Sequence, residues 1–162
     1  MDVSIQQEDF DVGRLQRELL GEDTRVGGTA VFVGCVRGEP DAAAADPDAV
    51  LAMDLEHYPG MTESSIQAIV DEARQRWALR SVRVIHRIGK LKPGDQIVYV
   101  GVACGHRGEA FEACEFIMDY LKTRAPFWKK ETTPSGSRWV DARDSDDAAA
   151  ARWQRTTETA GD

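Results

Sequence analysis

The segment YLKTRAPFWKK (120–130) gathers Lys122, Arg124, Lys129 and Lys130 with no acid among them, on a chain whose net charge is −8. Pro126 stands between Lys122 and Lys129, and a proline turn there folds the chain back so that both amines can face one pocket. A lysine crowded by other cations and partly desolvated has its pKa pushed down, which makes it a usable base or nucleophile near neutral pH. Phe127 and Trp128, between the lysines, favour a pocket, since large aromatics are seldom left exposed without a partner. The plainer alternative is a helix that ends in cations because they suit its dipole, followed by solvated lysines.

Other cations sit where anions could be held. His106 and Arg107 lie at a strand-to-helix junction, and the free N–H groups of a helix N-terminus attract phosphate or carboxylate. Arg37 ends the apolar run 29–37, where a guanidinium could clamp an oxyanion with two parallel hydrogen bonds. Each could equally be a solvated surface residue.

Cys35, Cys104 and Cys114 are an odd number with no CxxC pair, which argues against a disulfide framework and fits a reducing cytoplasm. Cys104 precedes a helix start, a setting that can lower a thiol pKa, and is the one cysteine with a nucleophile's position. Cys35 and Cys114 sit in apolar patterns and read as packing residues. His57 and His86 fall on the apolar faces of strands, as hydrogen-bonded core histidines do. No spacing supports a metal site.

The 162 residues suit one domain, with 42% hydrophobic and 30% charged residues, the balance of a globular chain. The acidic total disfavours a nucleic-acid backbone or an anionic membrane as partner. No apolar run reaches the length of a membrane span, and MDVSIQQEDFDVGRL has no signal-peptide pattern.

The elements that would carry these residues can be traced from periodicity. VSI (3–5) suits a short strand; Val12, Leu15 and Leu19 recur at helical spacing up to Gly21. TAVFVGCVR (29–37) is apolar on both faces and reads as a central strand. The prolines, aspartates and alanines of 39–50 read as a mobile loop. LAMDLEH (51–57) alternates as a half-buried strand. Thr62 then caps a helix, with Met61 and Ile66 as a staple and Ile66, Ile69, Val70, Ala73 and Trp77 as its buried stripe. VRVIHRIG (82–89) and QIVYVGVAC (96–104) form a hairpin through Lys92-Pro93-Gly94-Asp95. A helix runs from the 105–108 junction to about Thr123, with Phe111, Cys114, Ile117, Met118 and Leu121 on its apolar face, and Pro126 stops it. SRWV (137–140) is a short strand. This order of elements is α+β rather than doubly wound.

LEHYPGMTE (55–63), VIHRIGKLKPGD (84–95), His106-Arg107, FIMDYLKTRAPFWKKE (116–131) and RWVDARDSD (138–146), in this order and spacing, resemble the large subunit of molybdopterin synthase over roughly residues 26–146. The resemblance implies a hammerhead-like α/β single domain over 1–146, with a mixed antiparallel sheet and packed helices. Residues 147–162 are left as an acidic, alanine-rich tail that reads as a frayed helix. It implies a homodimer, and a small ubiquitin-like sulfur carrier whose C-terminal Gly-Gly thiocarboxylate enters the large subunit's pocket. Sulfur would pass to cyclic pyranopterin monophosphate and build the dithiolene of molybdopterin, with no cofactor. Lys122 and Lys129 match the family's catalytic lysines. Arg37, His106 and Arg107 match residues that hold the pterin and its phosphate, and Cys35 and Val36 are assigned to substrate binding beside Arg37. Lys130 and Glu131 match positions lining the same pocket, and Arg143 an arginine that reaches across the dimer. Cys35 stands where many relatives carry a polar or basic residue, and the loop 38–50 departs from the family pattern. The competing class is a binding module for a ubiquitin-like protein that has lost the chemistry; the presence of both lysines favours the enzyme.

Overall fold

The computed structural model describes residues 1–38, 49–140 and 144–158. The order is β1 (Val3–Gln6), α1 (Val12–Leu20), β2 (Gly28–Cys35), β3 (Ala52–His57), α2 (Met61–Arg76), β4 (Leu79–Arg87), β5 (Gly89–Leu91), β6 (Gln96–Cys104), α3 (Arg107–Arg124), β7 (Phe127–Thr133), β8 (Gly136–Val140) and α4 (Asp144–Glu158). The expected α+β character holds, but the strands divide into two sheets, ordered β1-β4-β6-β2 and β5-β3-β7-β8.

The first sheet is covered on both faces, and the two-residue period of β6 shows how. Val98, Val100, Val102 and Cys104 pack with Ile66, Val70, Ile117 and Phe116 of α2 and α3. Tyr99, one step out of phase, packs with Leu15 of α1 and Ile85 of β4. A smaller core of Val36, Met53, Leu55 and Leu91 lies on the second sheet.

Several sequence expectations need correction. β2 is an edge strand paired only with β6, not a central one. Ala30 packs against the helical core and Val33 against the α1 side, while Val31 and Phe32, one on each face, are left exposed at this edge. The segment 82–89 is not one strand: β4 stops at Arg87, and Gly89, with φ of 82°, redirects the chain so that β5 joins the second sheet. At α2 the cap is Gly60, whose N–H donates to Glu63 Oε2 (2.7 Å), while Met61 is 60% exposed and staples nothing. Phe111 is 66% exposed; Phe116 and Tyr120 take the buried places on α3 instead, because the apolar face also meets α4.

The expected tail contributes a helix to the core. α4 buries Ala150 and Trp153, and Trp153 Nε1 donates to Asp119 Oδ2 (2.7 Å) on α3. Its ring meets Trp77 and Phe116 edge-on, at 5.7 and 5.5 Å between centroids. Most of the expected mobile loop, residues 39–48, lies outside the described residues.

Candidate active site

A cavity of about 660 Å³ opens between the pocket-side ends of the two sheets and the C-terminal end of α3. Its apolar floor includes Val98 of β6 with Met118 and Leu121 of α3. Lys122, in the last turn of α3, reaches it from one side. Ala125 is extended rather than helical (φ −82°, ψ 127°), as the residue before a proline should be, and β7 starts immediately after Pro126. Lys129 and Glu131, two apart on a strand, therefore share a face of β7, and both line the cavity with Lys122.

The turn between the lysines is held from outside the site. Thr62 of α2 is fully buried; its hydroxyl donates to the carbonyl oxygen of Pro126 (3.1 Å) and accepts from the N–H of Tyr58 (3.0 Å). A residue expected to cap a helix thus ties α2 to the α3–β7 junction.

Cys35, Val36 and Arg37, at and beyond the end of β2, form another wall. Val36 is buried, and Cys35 is exposed at the cavity rather than packed in a core. Arg138 of β8 lies opposite Glu131 in register, with an ion pair of 3.4 Å, and Asp146 of α4 adds a second carboxylate to the lining. The cavity therefore sets Arg37, Lys122, Lys129 and Arg138 against two acids.

Three of the expected site residues are elsewhere in the chain. Lys130 points away from Lys129 along β7, its Nζ 5.7 Å from the exposed Trp139 ring. His106 and Arg107 are exposed at the N-terminus of α3, where His106 is the cap residue but makes no side-chain capping bond. At 1.5 Å rise per residue, Arg107 stands about 22 Å along the helix from Lys122, too far to share one small ligand. Arg143 lies outside the described residues.

Cys104 does not have the state expected of a nucleophile. It is fully buried, and burial, with Glu109 nearby, pushes its thiol up to about 11; burial does the same to Cys114. Among the described residues no group of three or more His, Cys, Asp or Glu side chains is placed to hold a metal ion.

His86 lines the cavity and was not foreseen there. Its Nδ1 lies 2.8 Å from the carbonyl oxygen of Arg87, and its ring stacks on Phe127 with centroids 3.8 Å apart. Burial, with smaller contributions from Lys122, Lys129 and His57, pushes its pKa down to about 4. The signal available in sequence was strand phase: His86 is two residues from Val84, whose face of β4 packs on the helices. Arg138 was also missed; finding it requires the β7–β8 register.

Comparison with known proteins places this architecture. Residues 5–124 match the MoaE protein family. The molybdopterin synthase catalytic subunit of Ralstonia nicotianae is 54% identical over 158 residues, covering 98% of this chain and 87% of that protein. The subunit of the same description from Vibrio cholerae is 57% identical over 152 residues, covering 94% of this chain and 97% of that one. A solved structure, the molybdopterin biosynthesis MoaE protein from Burkholderia ambifaria, superposes with a TM-score of 0.78 at 52% identity, over 94% of this chain and 97% of that one.

Proposed function

The chain belongs to the MoaE protein family, among catalytic subunits of molybdopterin synthase in molybdenum-cofactor biosynthesis, and from that premise we propose how its residues act as a sulfurtransferase. The donor is the C-terminal Gly-Gly thiocarboxylate of a small ubiquitin-like carrier, and the acceptor is cyclic pyranopterin monophosphate. The observation that carries this reading is the pair Lys122 and Lys129, set across the Pro126 turn on one cavity with Arg37.

Both reactants are anionic, and fixed positive charge in a partly enclosed cavity favours the further negative charge that develops during transfer. Lys122, beside the apolar floor, takes a proton from the reacting pterin as the carrier's sulfur adds to it; Lys129 holds charge against the substrate. Arg37 clamps phosphate, and Cys35 and Val36 complete its wall. Glu131, paired with Arg138, keeps that guanidinium on the cavity rim.

His106 and Arg107 cannot reach this cavity within one chain, so we assign them to the cavity of a second copy. In a two-fold dimer each helix N-terminus, with its free N–H groups, would then bring donors to the partner's substrate phosphate. Arg143 is assigned to the same composite site. The reaction needs no metal or organic cofactor, and we assign it to the cytoplasm, where unpaired thiols stay reduced. No helix among the described residues is long and apolar enough to cross a membrane.

The test is incubation of the chain with cyclic pyranopterin monophosphate and a thiocarboxylated carrier, with the pterin product weighed by mass spectrometry. Gain of two sulfurs is expected; an unchanged pterin in the presence of a carrier that binds would overturn the assignment.

A further inference from the structure

His86 has no part in the mechanism above, yet β4 delivers it to the cavity that holds both lysines. Two contacts fix its ring. A carbonyl oxygen can only accept, so the Nδ1 facing Arg87's carbonyl at 2.8 Å carries a proton and donates it. One face of the ring lies on Phe127 at 19° between planes, and Phe127 is two residues ahead of Lys129 on β7. Burial disfavours a positive charge on the imidazole, and the titratable groups of three other elements, Lys122 on α3, Lys129 on β7 and His57 on β3, oppose it further. With its pKa at about 4 the ring is uncharged at neutral pH. Its proton is on Nδ1, so Nε2 holds a lone pair, and among the described residues Nε2 has no hydrogen-bond partner.

We propose that His86 is a positioning residue for sulfur transfer: its fixed, neutral ring offers the Nε2 lone pair to the N–H groups of Lys122 and Lys129 and orients the two amines in the cavity. This rests on the reading of those lysines as the catalytic pair. An ammonium group carries three donors and no acceptor, on a stem with four rotatable carbons, so its direction depends on what accepts from it. A carboxylate at this position would orient the lysines too, but it would cancel the charge that an anionic substrate needs. A neutral nitrogen directs both amines and leaves the charge of Lys129 in place. The bond to Arg87 decides which nitrogen keeps the lone pair, in the way that an outer partner sets the tautomer of a metal-bound histidine.

Three substitutions separate this role from simple packing. The side-chain amide of His86→Asn sits where Nδ1 was and can still donate to Arg87, with nothing at the Nε2 position. His86→Gln places an amide near Nε2, and His86→Phe keeps only the stacked ring. With the complete chain and its carrier, single-turnover transfer is expected to fall by roughly tenfold or more in the Asn and Phe variants, the scale of a lost hydrogen bond to a charged group. Carrier binding and KM for the pterin should change little, and Gln should recover part of the rate. Wild-type rates in the Asn variant would overturn the proposal. A second measurement does not depend on turnover or on a His86 variant folding: the ¹⁵N resonances of the His86 ring in the full chain. Nε2 is expected to shift in Lys122→Met or Lys129→Met while Nδ1 stays in place; an Nε2 resonance indifferent to both replacements would refute the contact. Should the lysine variants retain full activity, the catalytic reading of the lysines fails, and the ring shifts still report separately whether His86 meets them.

Discussion

Thr62 and Pro126 are joined across 64 positions of sequence by a 3.1 Å hydrogen bond, in which the buried Thr62 hydroxyl donates to the Pro126 carbonyl. Pro126 lies between the two lysines of the cavity in sequence, so the turn that spaces the pair is held by α2 as well as by its own geometry.

Thr62→Val keeps the shape and removes the hydroxyl, leaving the Tyr58 N–H and the Pro126 carbonyl without their partner. Stability should fall by about 1–3 kcal/mol, as for buried polar groups left unsatisfied. Thr62→Ser, which retains both bonds, should lose less. Chemical denaturation reads the first effect, and single-turnover sulfur transfer should decline more than carrier binding does.

Replacement of Lys122 by alanine should reduce transfer by about 100-fold or more, the usual scale for loss of an acid–base group, with carrier binding nearly intact. Lys122→Arg should fail as well, because arginine stays protonated and cannot act as a base. Lys129→Arg keeps the charge and should retain part of the rate. Near-normal transfer by Lys122→Arg would mean that this residue supplies only charge.

The separation of Arg107 from Lys122 makes a complementation test decisive. Lys122→Ala and Arg107→Ala should each be inactive alone. Mixed after dissociation and reassembly, they should recover about a quarter of the wild-type sites, since half the dimers are mixed and each has one intact cavity. No recovery in demonstrably mixed dimers would mean that Arg107 does not serve the partner's cavity.

Sulfur transfer should survive removal of every thiol on this chain. Cys104 and Cys114 are buried with their thiols pushed up to about 11, so neither is a thiolate at neutral pH. The combination Cys35→Ser, Cys104→Ala, Cys114→Ala, assayed on its folded fraction, should still transfer sulfur. Complete loss would require a persulfide carried on this chain.

Acid should weaken the fold before the carboxylates titrate. The folded-state pKa of His86, about 4, is below the ordinary 6.5, so the unfolded chain takes up a proton that the folded one refuses. This contribution is fully present above 6.5 and is lost as pH falls toward 4, amounting to roughly 2–3 kcal/mol. Denaturation across that range should show a steeper fall for the wild type than for His86→Phe, which has nothing to protonate.

The parts of this protein that could be read from sequence are those in which local signals act alone. Met53 and Leu55 alternate in β3 as the pattern requires, and Gly94, at φ of 92°, turns the chain as Pro93-Gly94 suggests, with Asp95 N–H bonded to the Lys92 carbonyl (3.0 Å). The lysine pair was visible because a single proline separates its two supports. β7 was not: Lys129 and Lys130 carry a cationic-turn signature, and only pairing with β3 and β8 makes 127–133 a strand. That His106 and Arg107 stand at the far end of α3 from Lys122 follows from the length of that helix, Arg107–Arg124, which the motif order alone does not convey. The acidic, alanine-rich tail hides a buried residue: Trp153 finds its partners in Asp119, Trp77 and Phe116, far from it in sequence.

The abrupt passage from α3 to β7 also makes the joint between them a ruler with whole-residue markings. Alternation along β7 puts Lys129 and Glu131 on the cavity and Lys130 off it. One residue added between Arg124 and Phe127, if the pairing with β3 slipped to absorb it, would reverse every side chain of the strand, turning Lys129 outward and Lys130 inward. Two residues would restore the facing but move it along the strand by about 7 Å. Surface loops in general tolerate small changes of length, whereas this joint admits change only by substitution, so its length should be fixed in any chain that performs the same reaction with this pair of lysines.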